Sequence, residues 1–311
     1  MALLVETGLT NWISDDEIAG TLRNLDPKAD IRTPDTLGDP AGIRMIATVS
    51  LPKGRPADCP NLELVQKLGA GVESIVTHPT LPAPVRVTRL RPDAPAREIA
   101  EWFLTYILQT QRQTAFYRAE QQARRWTPVA PLEALETTVG VLGLGHIGGR
   151  TAALMQAMDF RVLGWSRSPK TLDGVETYAG LDTLPDMLGQ CDHVCAILPS
   201  THETRDLIGP DLLSAMKPGA TLLNAGRGDL IDEAALIASL DTGHLGAAVL
   251  DVTSREPLPA DNPLWSHARV TITPHVSGWH LGDAFKDITE NYRRLLAGDP
   301  LLHEVDRQRG Y

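Results

Sequence analysis

Thr138-Val-Gly-Val-Leu-Gly143-Leu-Gly145-His146-Ile147-Gly148 is the stretch that decides the fold. An apolar run of strand length passes directly into Gly-x-Gly-x-x-Gly, and a helical pattern opens behind it; this is the context in which that spacing grips a dinucleotide. Gly143 permits a tight turn, Gly145 lets the backbone approach a pyrophosphate, and Gly148 lets the helix lie close on the strand. His146 and Ile147 open the helix, whose first N–H groups are free for an anion. A glycine turn with a purely structural role is the competing reading, and the motif alone does not decide between them.

The rhythm on either side extends the pattern. Downstream, strands are expected at 161–165, 193–198, 221–224, 247–251 and 270–273, with helices near 184–188, 210–216 and 233–242. Such alternation implies parallel pairing in a doubly wound sheet. Upstream, a strand at 3–5 precedes a helix capped by Ser14 with Asp15, Asp16 and Glu17 in its first turn, and a strand follows at 43–49. Asn61 is expected to cap a further helical start; strands follow at 64–68, ending in Gly69-Ala70-Gly71, and at 85–90. Four prolines, Pro82, Pro84, Pro92 and Pro95, then resist regular structure and mark a domain boundary. One continuous helix is expected over 96–119, and its apolar positions Ile99, Trp102, Phe103, Tyr106 and Ile107 form a face expected to pack between lobes or subunits. A last amphipathic helix at 281–296 returns to the first lobe.

At 311 residues the chain suits two domains. The expected fold is α/β: two Rossmann-like domains with doubly wound parallel sheets and a cleft between them. The substrate domain is expected at 1–95 plus 277–311, discontinuous in sequence, and the dinucleotide-binding domain at 96–276. A net charge of −10 and the lack of any Lys/Arg run argue against a nucleic-acid partner. A small anionic substrate needs only a few local positive groups. The odd count of three cysteines, Cys59, Cys191 and Cys195, has no zinc-like spacing, so neither a disulfide framework nor a metal is expected and a reducing cytoplasm fits. No apolar run approaches the roughly 20 residues that span a bilayer, and the first residues carry no signal-peptide pattern, so no membrane association is expected.

The chemistry lies at the expected strand ends. A dinucleotide with a free ribose 2′-OH calls for Asp or Glu about 20 residues beyond the glycines. Here the next strand ends Trp165-Ser166-Arg167-Ser168-Pro169-Lys170, without a carboxylate. Arg167 and Ser166 suit a 2′-phosphate, which favours NADPH and leaves NADH as the weaker cofactor; a solvated basic turn is the plainer reading. Asn224-Ala225-Gly226-Arg227-Gly228 ends another strand, and an arginine between glycines is free to reach out, grip a carboxylate and polarise a carbonyl. Asp251 ends the next strand, Glu256-Pro257 follows, and His275 closes Thr273-Pro274-His275. Reduction of a ketone requires a proton for the new alkoxide, which an imidazolium supplies near neutral pH. Glu256, bonded to the other ring nitrogen, would raise the imidazole pKa and fix its tautomer. By itself a histidine after Thr-Pro is more often a capping or core residue; the conjunction changes that.

Together these motifs resemble the D-isomer-specific 2-hydroxyacid dehydrogenase family, over nearly the whole chain. The resemblance includes Leu68-Gly69-Ala70-Gly71-Val72-Glu73, similar to the family loop whose backbone N–H groups hold the substrate carboxylate. It also includes Leu198-Pro199-Ser-Thr201-His-Glu-Thr204, similar to the family's nucleotide-side loop. It implies that Arg227 binds and polarises the keto acid, that His275 is the acid/base, that Glu256 orients it and that Asp251 faces the nicotinamide carboxamide. Leu198, Pro199, Thr204, Ala225, Gly226, Arg227, Asp251 and His275 then join the glycine and ribose turns around the cofactor, while Ala70, Gly71 and Trp279 join Arg227 and His275 around the substrate. A homodimer is implied, with the long helix after Pro95 in the contact. Within the family, the ending Val305-Asp306-Arg307-Gln-Arg309-Gly310-Tyr311 and the run Arg255-Glu256-Pro257-Leu258-Pro259 resemble the NADPH-preferring glyoxylate/hydroxypyruvate reductases of bacteria.

Three departures bear on the substrate. Val276-Ser277-Gly278-Trp279-His280 follows the histidine where smaller residues are common in the family; Gly226 replaces a commoner Ala or Ser; and Ser50-Leu-Pro-Lys-Gly54 matches neither reductase subgroup. A broad-specificity 2-keto-acid reductase or D-lactate-type dehydrogenase therefore stays open, as does an NAD(H)-sensing, corepressor-like binding protein of the same fold.

Overall fold

The structure is a computed structural model that describes residues 1–9 and 12–307. It divides into two compact units, Met1–Ala94 with His280–Tyr311 and Pro95–Trp279. The residues after 307, part of the C-terminal resemblance to bacterial reductases, lie outside the described residues.

The first unit holds, among the described residues, a five-stranded parallel sheet: β1 (Ala2–Val5), β2 (Ile31–Arg32), β3 (Ile43–Thr48), β4 (Leu64–Lys67) and β5 (Arg86–Thr88), ordered β2-β1-β3-β4-β5. All of β1 is buried, as a strand covered on both faces must be, which explains its unbroken apolar sequence. The helix Asp15–Leu25 begins at a capping box: the Ser14 hydroxyl accepts the Glu17 N–H at 3.3 Å and the Glu17 carboxylate accepts the Ser14 N–H at 3.0 Å. The helix Ala284–Ala297 contributes Ile288, Tyr292 and Leu295 to one core with Leu3, Val5 and Leu22. A buried polar network fastens it there. Gln66 Oε1 accepts from Thr88 Oγ1 at 2.7 Å and from Asn291 Nδ2 at 2.8 Å, and Asn291 Oδ1 accepts the Leu302 N–H at 2.7 Å. Asn61 caps no helix: it lies in a turn and its side-chain amide donates to the Ala41 carbonyl at 2.8 Å, a tertiary bond that local sequence does not signal.

The second unit holds seven parallel strands among the described residues: β6 (Thr138–Leu142), β7 (Arg161–Ser166), β8 (Glu176–Ala179), β9 (His193–Ala196), β10 (Thr221–Asn224), β11 (Ala247–Leu250) and β12 (Val270–Ile272). Their order is β12-β11-β10-β9-β6-β7-β8, so the winding reverses at β6, between β7 and β9. The carboxyl ends of all these strands share one edge, and the crevice at such a reversal is where open α/β sheets bind ligands. The helix Asp93–Gln111 turns Ile99, Trp102, Phe103 and Ile107 into a core with Val139, Val141, Met155 and Leu223. That apolar face covers the unit's own sheet, where the sequence suggested a lobe or subunit contact. The expected single helix is two: it stops at Gln111, Gln113 takes φ +51°, and a second helix runs Thr114–Gln122. A left-handed residue other than glycine interrupts the ladder at a place where periodicity continues unbroken. Among the described residues no helix is long and apolar enough to cross a membrane.

Candidate active site

The glycine turn that follows β6 is held by sterics. Gly143 has φ +104°, and a Cβ there would lie 2.7 Å from the Ile197 carbonyl oxygen. At Gly148 a Cβ would fall 1.7 Å from the Gly143 oxygen, so only glycine lets the helix His146–Ala157 start this close to the strand. Gly145, by contrast, faces open space. Lys170 Nζ donates to the Leu144 carbonyl at 2.7 Å, tying the following turn to this one.

The end of β7 and the turn after it sort their residues by exposure. Trp165 is 3% exposed; its carbonyl accepts the Gly143 N–H at 2.8 Å and its indole N–H donates to the Gly180 carbonyl at 2.8 Å. Its side chain is therefore core, and it acts on the glycine turn through its backbone. Ser166 is buried, with its hydroxyl donating to the Ser168 carbonyl at 2.8 Å. Arg167 and Ser168 are exposed, and Arg167 Nη1 meets Glu203 Oε2 at 2.8 Å. In the loop after β9, Leu198 is buried and the Thr204 hydroxyl is an internal staple, donating to the Pro199 carbonyl at 2.6 Å and accepting the Thr201 N–H at 2.8 Å.

After β10, Asn224 folds the turn that carries Arg227. Its Oδ1 accepts the Gly226 N–H at 3.0 Å and its Nδ2 donates to the Arg227 carbonyl at 2.9 Å. The glycines beside Arg227 are explained by crowding: a Cβ on Gly226 would lie 2.8 Å from the Leu198 oxygen, and one on Gly228 would lie 1.9 Å from the Thr253 carbonyl. The sequence suggested glycines that free the arginine; Gly226 instead lets the turn press onto the loop after β9, and Gly228 lets it press onto the segment after β11, which brings Glu256. Ala225 donates its N–H to the Ala196 carbonyl at 3.2 Å, and Arg227 Nη1 donates to the Gly226 carbonyl at 2.6 Å.

His275 stands on a backbone with φ +55°, a conformation that a non-glycine residue keeps only when its surroundings enforce it. Asp251 enforces it. The Asp251 carbonyl accepts the His275 N–H at 2.8 Å, and its carboxylate accepts Val276 N–H at 2.9 Å, Ser277 N–H at 3.0 Å and the Thr273 hydroxyl at 2.5 Å. The Trp102 indole donates to that hydroxyl at 3.1 Å. At 2% exposure Asp251 anchors the histidine loop, a role beyond the nicotinamide-facing one that the resemblance implies.

His275 Nδ1 lies 2.7 Å from Glu256 Oε2, and Glu256 Oε1 accepts the Thr253 N–H at 3.1 Å. Partial burial pushes the Glu256 carboxyl up, but the hydrogen bond and charge of His275, the Thr253 N–H and the Arg227 charge outweigh it and leave the pKa below the ordinary value. Glu256 is then an ionised acceptor, so Nδ1 carries the proton of this bond and Nε2 is left for chemistry. The triad Arg227, Glu256 and His275 thus comes together inside one unit. Trp279, 39% exposed, closes the same loop with its N–H on Glu98 Oε2 at 2.7 Å. Ala70 and Gly71 belong to the first unit, directly after β4, where Gly69 accepts the Leu90 N–H at 3.0 Å. Sequence reasoning gave no role to Asn224, Thr273 or Trp102 and did not anticipate Glu203 as the partner of Arg167. Asn224, Thr273 and Glu203 lie inside motifs already singled out, whereas nothing local pointed to the contact of Trp102 with Thr273.

A family model described as D-isomer specific 2-hydroxyacid dehydrogenase, NAD binding domain, matches residues 104–277. Among solved structures, the chain is similar to a D-isomer specific 2-hydroxyacid dehydrogenase from Xanthobacter autotrophicus in complex with NADPH and MES, at 39% identity and TM-score 0.93, covering 100% of this chain and 99% of that one. It is similar at 31% identity and TM-score 0.90, with the same coverage, to an NADPH-dependent glyoxylate/hydroxypyruvate reductase from Sinorhizobium meliloti in complex with NADP and sulfate. A probable 2-hydroxyacid dehydrogenase from Rhizobium etli, in complex with NADP, HEPES and L(+)-tartaric acid, matches at 28% identity and TM-score 0.87 over 100% of this chain and 99% of that one.

Proposed function

We propose that this chain, which belongs to the D-isomer specific 2-hydroxyacid dehydrogenase family, reduces a small 2-keto acid, glyoxylate or hydroxypyruvate, to the 2-hydroxy acid with NADPH. The observation that carries the reading is the 2.7 Å pairing of His275 with Glu256 on the edge that also bears the glycine turn. A crevice at a sheet reversal, a glycine turn with open space at Gly145 and an exposed Arg167 in place of a ribose-binding carboxylate fit NADPH. The nicotinamide, when bound, supplies the hydride. Arg227 grips the substrate carboxylate and polarises the carbonyl by charge-assisted bonds. His275 gives the Nε2 proton to the oxygen as the carbonyl carbon takes the hydride, and Glu256 keeps the ring oriented and stabilises the charge it carries beforehand. The Xanthobacter dehydrogenase and the Sinorhizobium reductase, crystallised with NADPH and NADP respectively, support the cofactor, and the latter supports the substrate class.

The protein is read as a homodimer. Trp126, Leu132 and Leu135, at 96%, 54% and 76% exposure, lie in the segment after the second helix and suit burial against another copy. Light scattering on the eluting protein measures the mass directly.

The test of the reaction is the initial rate of NADPH and, separately, NADH oxidation with glyoxylate, hydroxypyruvate, pyruvate and phenylpyruvate. The expected outcome is fast turnover with NADPH and either of the first two. Preference for phenylpyruvate keeps the chemistry and replaces the substrate. Tight nucleotide binding without any turnover overturns the reductase in favour of a nucleotide sensor.

A further inference from the structure

We propose that Glu203 is a specificity-determining residue that works against Arg167: it holds the guanidinium when no nucleotide is bound and opposes the 2′-phosphate, lowering the preference for NADPH over NADH. The inference rests on the reading of Arg167 as the 2′-phosphate residue.

The placement of the pair carries the argument. Arg167 directly follows β7 and Glu203 lies in the loop after β9, and these strands are the two neighbours of β6. The ion pair, 2.8 Å from Nη1 to Oε2, therefore reaches across the reversal point of the sheet, where the glycine turn stands. Both side chains are more than half exposed, at 59% and 61%, so the pair is weak and open to exchange with an incoming anion. A free ribose 2′-OH is neutral and leaves the pair intact. A 2′-phosphate carries about −1.5 to −2 charges and seeks the same guanidinium. A planar guanidinium has room for two anions, but sharing it sets a carboxylate beside a dianion, well inside the screening length of roughly 8 Å. Whether the phosphate shares Arg167 or displaces Glu203, the Glu203 charge counts against it. The same competition hastens departure of NADP after turnover, because the ion pair re-forms as the phosphate leaves.

The experiment measures dissociation constants of NADPH and NADH by nicotinamide fluorescence for the wild type, Glu203→Gln, Arg167→Ala and the double variant, at low and high salt. Glu203→Gln is expected to tighten NADPH by about threefold to tenfold at low ionic strength, with NADH unchanged and the gain shrinking as salt screens it. The gain should vanish in the Arg167→Ala background, and NADP release should slow by a similar factor. NADH binding in each variant reports that the fold is intact. Unchanged or weaker NADPH binding in Glu203→Gln overturns the proposal, as does a gain that survives without Arg167. If Arg167→Ala alone leaves NADPH affinity unaltered, the reading of Arg167 itself has failed and takes this one with it.

Discussion

His193 and His275 sit in the same unit, on the same sheet, in opposite surroundings. His193 is a core residue of β9, 2% exposed, with no hydrogen-bond partner for Nδ1 among the described residues. Burial pushes its imidazole down to about 4, with only Asp192 opposing, so it is neutral throughout the physiological range. His275 stands beyond the strand end, its side chain 52% exposed, on a left-handed backbone with a carboxylate on Nδ1. Burial alone silences a histidine. Availability for proton transfer requires a position outside the sheet, and the strained backbone there needs a separate buried anchor, which is Asp251.

The contrast breaks most directly at His275. His275→Asn, which tolerates the left-handed backbone, is expected to lower kcat by about a thousandfold, because a positioned acid/base contributes roughly 10²–10⁴. NADPH affinity should change far less, by about twofold, since the proton is needed in the transition state and not for holding the nucleotide. Loss of affinity in step with kcat, read by fluorescence titration beside steady-state rates, would remove the acid/base role.

Asp251 gives the next effect. Asp251→Ala strips the acceptor from two backbone N–H groups and the Thr273 hydroxyl, and each buried donor left unmade costs about 1–3 kcal/mol. Urea unfolding should show a loss of about 2 kcal/mol or more, with kcat reduced through a displaced His275. A variant of normal stability that lost activity alone would place the carboxylate on the ligand, as the sequence suggested.

These two residues also mark where sequence was readable. The triad was legible because its members lie at strand ends that alternation locates, and because glycine, arginine, Glu-Pro and Pro-His leave local signatures. Gly143 and Gly148 were legible for the same reason: their sterics are short-range. The commitment of Asp251 was not, since it depends on which way a carboxylate turns once β11 and β12 are paired. Glu203 meets Arg167 across 36 positions of chain, and Trp102 reaches Thr273 across 171. No window of sequence holds either pair. The short strand β2 and the strand β8 passed unnoticed because two to four residues at or near a sheet edge give little periodicity.

Glu256→Gln sharpens the comparison from the other side of the ring. It keeps the shape and an acceptor for Nδ1 but loses the charge, so kcat should fall by about tenfold to a hundredfold, a part of the full acid/base term. Neutral-pH stability should move by less than about 0.5 kcal/mol, as expected for an exposed pair. The carboxyl is held below its ordinary value of 4.5 in the folded protein, so its stabilising contribution is present above that value and is lost as pH falls through the lower one. The acid limb of the wild-type rate profile that belongs to Glu256 therefore lies below 4.5, and it should be absent in the variant.

The smallest effect belongs to His193, and its sign is fixed by linkage. The folded value near 4 lies below the ordinary 6.5, so between those values the unfolded chain takes up a proton that the native state refuses. Stability is therefore whole above 6.5 and declines as pH falls toward 4, by about 1 kcal/mol between neutrality and roughly pH 5.5. His193→Gln, which cannot titrate, should lose this part of the acid sensitivity while keeping kcat at neutral pH, because the ring is spent on packing. Matched urea melts of both proteins at the two pH values check it: equal acid losses would mean that His193 takes its proton in the native state, and that burial in β9 does not separate it from His275.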